Sequence, residues 1–486
     1  MTASSASNLE KDPKPAIEHL EDGPSFSEQE TRKLLRKLDW AILPIVAVMY
    51  LLSFLDRSNI GNARLAGLEA DLGMTGWNYA TAVAVFFPFY IISEVPSNLA
   101  MKRFRPSIWI PSIMVTWGVV TTLMGIVDSF GGLLGARMAL GLAEGGLFPG
   151  VAWYITMWYR RHECGLRISI FFSAATIAGA FGGLLARGIM EMDGIAGVPG
   201  WGWIFILEGI LTVLVACIAY VVLNDFPDTA KFLNPREKAE VIRRLREDTT
   251  ALSDDYRPVF VKDAFTDWKI WVNCLIALSN FLPLYSVSIF LPTIIRSMGH
   301  SNEKAQLMSV PPYILACIAT VGAGFVTDRH HRRGIYIIGI ASVAIVGFII
   351  LITVQNNAVK YFACFLVVTG IYANVPQLAS WNSNNIGGSV KRGVGVAMQI
   401  GSGNVGGAVA GFIFQAKDAP HYRTGHGILI AMCSLTVLLA TGMTLYLQKE
   451  NTRRDAQYKA PAEYTQAEME LESQKGDNAT FFRYTI

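Results

Sequence analysis

Twelve hydrophobic blocks, each about 20 residues long, punctuate this chain and leave few folds open to it. They run at 40–62, 79–99, 108–127, 133–157, 168–190 and 203–222, and again at 272–295, 308–326, 335–354, 361–381, 394–414 and 428–447. At 1.5 Å per residue a helix of that length crosses a hydrocarbon layer of ~30 Å. Backbone exposed to lipid cannot be hydrated, so each block is predicted to be a helix, and the apolar-polar alternation of barrel strands is absent. Only 16% of the residues are charged, against about 25% in soluble domains, which argues against a soluble enzyme. A net charge of +3, with the basic residues at block ends, gives no nucleic-acid patch. The six cysteines are scattered without a CxxC pair and read as packing residues.

The blocks fall into two sets of six, so the expected fold is an all-α membrane protein of twelve transmembrane helices in two pseudo-symmetric bundles, 39–223 and 269–448. Between them, 224–268 reads as a linker with a surface helix: Asn234 can cap, Pro235 fits the first turn, Glu237 complements the dipole, and Val241 with Leu245 share a face. Residues 1–38 carry no cleavable signal and are predicted to be a disordered tail; 449–486 is predicted to be a second tail, offering only trafficking or turnover sites. Basic residues crowd one set of loops, among them Arg36, Lys37, Lys102, Arg103, Arg160 and Arg161, which predicts that both tails and the linker are cytoplasmic.

Charges within the spans are the functional candidates, because each costs ~3 kcal/mol or more near midplane. In span 4, Arg137 and Glu144 lie seven residues apart, about 10 Å along one helix stripe. Gly141 and Gly145 continue the four-residue spacing and predict close approach of a neighbouring helix. Span 1 ends in Asp56-Arg57, at a depth matching Arg137. An Asp56 to Arg137 pair would leave Arg57 free for an anion and Glu144 free for a proton. Depth alone leaves open that Asp56 and Arg57 sit among headgroups, or that Arg137 and Glu144 are a static buried pair.

After span 8 the chain reads Gly324-Phe-Val-Thr-Asp328-Arg329-His-His-Arg332-Arg333, and the place after span 2 is a weak copy lacking the Gly and the Asp. This resembles the signature loop of the major facilitator superfamily, which implies an inner latch through Asp328, Arg329 and Arg333. More narrowly, Ser-Phe-Leu-Asp56-Arg57-Ser-Asn59-Ile-Gly61-Asn62-Ala, the Arg137 to Glu144-Gly-Gly-Leu-Phe-Pro149-Gly150 run, Trp158-Tyr159 with Glu163, Glu208-Gly209 and Phe226-Pro227-Asp228 resemble the anion:cation symporter family, in its fungal allantoate and nicotinic acid permease branch. The resemblance covers 38–448. It implies that Arg57 contacts a substrate carboxylate, Arg137 pairs with Asp56, and Glu144 is a proton-responsive coupling group. Span 5 lacks the Gly-Pro element of the superfamily's proton antiporters, which leans the reading toward uptake.

Asn280 and Tyr285 in span 7, Asn374, Trp381 and Asn382 in span 10, and Asn404 in span 11 are further candidates to face a substrate, with helix-to-helix hydrogen bonding an equal alternative. Glu94 and Glu208 read as helix-end residues. Gly401-Ser-Gly403-Asn-Val-Gly406-Gly407 has dinucleotide-loop spacing but no preceding strand, so it reads as helix packing. No cofactor or metal site is predicted; His330 and His331 sit among arginines that repel a cation. The expectation is a monomeric, proton-coupled importer of a small organic anion in the plasma membrane, its partners being that anion, protons and the bilayer. An exporter of a secondary metabolite, or a non-transporting sensor, are the alternatives.

Overall fold

The computed structural model describes residues 26–75, 77–249, 258–330, 332–414 and 422–459, and beyond them 463–465, 468, 472 and 475–486. Among the described residues all regular structure is helical. The first half comprises α1 (Glu28–Leu65), α2 (Asn78–Ala84), α3 (Phe86–Arg103), α4 (Pro106–Met124), α5 (Phe130–Glu144), α6 (Leu147–Thr156), α7 (Arg161–Met190) and α8 (Gly200–Val222). The linker holds α9 (Pro235–Thr249) and α10 (Pro258–Thr266). The second half comprises α11 (Trp268–Arg296), α12 (Asn302–His330), α13 (Gly334–Thr353), α14 (Asn357–Tyr372), α15 (Asn374–Asn385), α16 (Ser389–Ala410) and α17 (Arg423–Gln457). Three crossings are broken pairs, α2/α3, α5/α6 and α14/α15, so twelve crossings remain.

Ten helical segments among the described residues are long and apolar enough to cross a membrane unaided. The other two crossings fall short for visible reasons. The fourth is interrupted at Gly145-Gly146, and the eleventh is diluted by glycines, Gln399 and Asn404 that face protein and not lipid. Helix ends follow local chemistry. Ser27 opens α1 with a capping box in which Glu30 reaches back to the Ser27 amide (2.9 Å). This start corrects the predicted tail boundary: residues 28–38 are helical, while 1–25 lie outside the described residues.

Without a hydrophobic drive between helices in lipid, small residues decide where backbones touch. A Cβ at Gly145 would stand 2.3 Å from the Tyr90 carbonyl oxygen, and one at Gly141 2.4 Å from that of Phe86, so α5 lies directly on α3. The dinucleotide-like run in α16 does the same work: Gly403 and Gly406 press on Phe281 and Leu282 of α11, and Gly407 on Phe87 of α3. Gly145→Ala is accordingly expected to cost about 2–3 kcal/mol, read as a lowered melting temperature of detergent-purified protein, because the Tyr90 backbone, which cannot swing aside as the neighbouring Ser93 hydroxyl can, opposes the new methyl.

The halves meet where α7 packs along α12 and α3 along α16. On one face the linker helix α9 is tied to the first bundle by Lys37 to Glu237 (2.7 Å) and Arg244 to Glu163 (2.5 Å). Glu237 also accepts the Asn234 amide (2.8 Å), and Val241 is buried against the bundle. We call this the linker face. Residues 475–486 fold back onto the same face of the second bundle, and α17 extends to Gln457, past the predicted end at 447.

Candidate functional site

Residues 56 and 57 are neighbours on a helix, so their side chains leave the axis about 100° apart. That rotation sends them to different environments. Arg57 shares a stripe with Ser53, four residues earlier, and both reach Glu144 Oε1 in α5: Ser53 Oγ donates at 2.6 Å and Arg57 Nη2 at 2.5 Å. Asp56 turns the other way, where Trp117 Nε1 of α4 donates to it at 2.9 Å and Thr212 Oγ1 of α8 at 3.4 Å. Asn59, on the Asp56 stripe, donates to Glu208 at 2.5 Å. Asp56, Asn59 and Glu208 therefore form a polar cluster inside the first bundle, and Glu208 is a core residue (2% exposed), not a helix-end residue.

The expected Asp56 to Arg137 pair is not formed. Arg137, 1% exposed, donates through Nε to the Ala82 carbonyl (3.2 Å) and stacks its guanidinium 4.9 Å from the Phe86 ring centre. Arg57 is not free either, since Glu144 holds it. The swap has a steric cause: Glu144 sits two turns along α5 from Arg137, opposite the Ser53-Arg57 stripe of α1, whereas Asp56 faces α4 and α8.

From Arg57 the network crosses to the second bundle. Arg57 Nη1 donates to the Tyr285 hydroxyl (2.8 Å), which donates to Asn404 Oδ1 (2.7 Å), and Asn404 Nδ2 donates to Glu94 Oε1 in α3 (3.0 Å). Phe86, Tyr90 and Tyr285 place their rings 5.3, 4.8 and 5.9 Å from the Arg57 guanidinium carbon. A cation lined by ring faces in a protein interior keeps its charge while losing water, which strengthens its hold on any anion. Arg57 Nε, Arg137 Nη1 and Glu144 Oε2 carry no hydrogen-bond partner.

Just beyond Arg57, at Ser58, begins a cavity of about 450 Å³ on the side away from the linker. Arg64, Glu69 and Tyr79 line it from the first bundle, and Arg296, Gln306 and Tyr313 from the second. At the linker face the bundles are closed. Asp328 accepts the Leu166 amide at the start of α7 (2.7 Å) and pairs with Arg333, while Gln377 donates to Ser169 (3.4 Å). Gly324 permits this, since a Cβ there would sit 2.4 Å from Ser169 Oγ. Of the predicted latch residues Asp328 and Arg333 engage; Arg329 points to solvent.

The remaining candidates divide. Tyr285 and Asn404 join the central network. Asn280 is buried, with Oδ1 unpartnered. Asn382 does not join: its amide donates to the Gly395 carbonyl (3.2 Å), and it lines a small cleft with Asp267 and Lys269 at the linker face. Asn374 and Trp381 bond the Ile337 and Thr485 carbonyls at 3.3 and 2.9 Å. Sequence reasoning missed Ser53 and the aromatic lining; the four-residue spacing from Ser53 to Arg57 was the available signal for the first.

The description Major Facilitator Superfamily belongs to the family model that matches residues 46–413. An uncharacterized transporter of Schizosaccharomyces pombe is 37% identical over 432 residues, covering 88% of this chain and 89% of its own. The MFS-type transporter cnsO of Penicillium expansum is 36% identical over 483 residues, covering 96% and 93%. In architecture, the solved proton:xylose symporter XylE superposes with a TM-score of 0.62 at 17% identity, over 84% of this chain and 95% of that one. Twelve crossings in two bundles, a polar centre between them and these matches together place the chain in the major facilitator superfamily, as a multi-pass membrane transporter and not an enzyme.

Proposed function

We propose that the chain is a proton-coupled importer of a small organic anion, a carboxylate of the nicotinate or allantoate kind, working by alternating access. The observation that carries this reading is Arg57: a nearly buried cation next in the chain to Ser58, which lines the open cavity, and already held by the carboxylate of Glu144 (2.5 Å). One guanidinium then serves two anions in competition. When Glu144 takes a proton its claim on Arg57 weakens, and an incoming carboxylate can replace it bidentately. Proton and anion binding thus favour each other, and linkage makes the effect reciprocal. Tyr285 and Asn404 report an occupied site to the second bundle through the same guanidinium.

The basic loops on the linker face support assigning it to the cytoplasm, with both ends of the chain there. The cavity then opens outward, consistent with uptake across the plasma membrane by a monomer. The branch resemblance to anion:cation symporters supports the same reading. In proteoliposomes, uptake of radiolabelled nicotinate or allantoate is expected to rise as the external pH falls from 8 to 6. Uptake of neither acid, or uptake indifferent to pH in correctly inserted protein, sinks the proposal.

A further inference from the structure

The segment 475–486 is built into the second bundle, although it lies outside the hydrophobic blocks. Asp477, 1% exposed, sits between Lys269 at the start of α11 (2.6 Å) and Lys391 at the start of α16 (2.5 Å). Burial pushes its carboxyl up, but the two ammonium groups outweigh this and hold it below the usual carboxylate range. The charge triad therefore persists at neutral pH, and its stabilisation is lost only as pH falls through that lowered value.

The rest of the segment is satisfied just as specifically. Arg454 of α17 donates to the carbonyls of Asp477, Ala479 and Phe482 at 3.0, 3.3 and 2.9 Å. Asn451 bonds both backbone groups of Tyr484 (2.8 and 2.9 Å), and Asn385 both of Thr485 (3.0 and 2.7 Å). Phe481, Phe482 and Tyr484 bury their rings in a cluster with Ile276, Leu378 and Trp381. A Cβ at Gly387, in the turn between α15 and α16, would lie 2.3 Å from the Asp477 amide nitrogen, so the segment's backbone rests on that turn. With these backbone groups paired and three rings buried, the twelve residues form a strap.

The strap meets the closure between bundles at one residue. The Arg333 amide donates to the Ile486 carbonyl (2.6 Å), and the Arg333 side chain holds Asp328 and bonds Gln377 (3.3 Å). Asp328 and Gln377 are the residues that reach across to Leu166 and Ser169 of the first bundle. The strap also ties the linker-face ends of α15 and α16 to those of α11 and α17. Where α15 and α16 approach the first bundle, only a narrow space of about 40 Å³ remains, bordered by Asn98, Trp153 and Ser383.

We propose that residues 475–486 are a conformational strap that keeps the linker face closed, by holding α15, α16 and Arg333 in the geometry that meets the first bundle. Releasing it shifts the protein toward the state open at the linker face. The device is independent of which substrate is carried and of which side the linker occupies.

The test follows accessibility, not transport. Cys217 and Cys317 are exposed and half-buried; with both replaced by alanine, a reporter cysteine is placed at Ser383 (Ser383→Cys) or, on the opposite face, at Gln306 (Gln306→Cys). Detergent-purified protein is then labelled with a charged maleimide. Two variants release the strap by different means: ending the chain at Lys475, and Gly387→Val, which wedges the turn beneath it. The expected result is labelling at 383 at least fivefold faster, with slower labelling at 306. Unchanged rates at both positions overturn the proposal. So do faster rates at both, which signify a loosened bundle and not a shifted equilibrium.

Discussion

Arg57→Ala is expected to lower the affinity for nicotinate or allantoate, whichever binds, by roughly 30-fold or more, since truncating one partner of a buried charge pair costs about 2–5 kcal/mol. The substrate-induced rise in melting temperature is the measurement. The substitution also strands Glu144 in a dry interior, so the protein itself should lose stability, by as much as 3–5 kcal/mol if the carboxylate stays charged. The double variant Arg57→Ala with Glu144→Gln separates the two losses. It is expected to regain stability, because no unpaired charge remains, and to regain no binding. Arg57→Lys should bind weakly, keeping the charge and losing the planar fork. Binding retained in Arg57→Ala would remove the guanidinium from the site.

Glu144→Gln has the second large effect, opposite in sign for affinity. Glutamine still meets Ser53 but cannot compete with an anion for Arg57 by charge. On the proposed coupling, one linked proton would make acid binding to the native protein fall by up to about tenfold per pH unit as pH rises, or 1.4 kcal/mol each. The variant should bind as tightly as the native protein does at the acid end of its profile, with no pH slope of its own. In proteoliposomes, accumulation driven by a pH gradient should vanish while exchange of labelled for unlabelled acid persists. An undiminished pH slope in Glu144→Gln would assign the proton to another group, with Glu94 the first to examine because Asn404 connects it to the same network.

Much of this site is legible in the sequence. Arg57, Arg137 and Glu144 stood out because charge is costly in lipid; Arg137 and Glu144 are buried in the interior of the bundles and Arg57 nearly so. Gly141, Gly145 and the glycine run of α16 were legible as contact points, since nothing but close approach explains repeated glycine in a helix. Pairing was not legible. Asp56 and Arg137 match in depth, yet depth says nothing of the angle at which each helix presents its stripe, and Trp117 and Thr212 took the place expected for Arg137. Asn382 was misplaced for the same reason, pointing at Gly395 from a helix whose break at Ala373 turns it away. The strap was invisible because Asp477 and Tyr484 look like part of any polar tail until Lys269, Lys391 and Arg454 converge on them.

Local chemistry along the chain was enough to specify the elements: apolar length sets how many helices cross, caps and glycines set where they start and bend, and the rarity of buried ions marks the residues that matter. Partnership came from the packed molecule. A helix shows a neighbour only the narrow stripe its rotation allows, and that rotation is set by contacts between segments far apart in the chain, which bring Glu144 to Arg57 and residue 486 to the latch at 333.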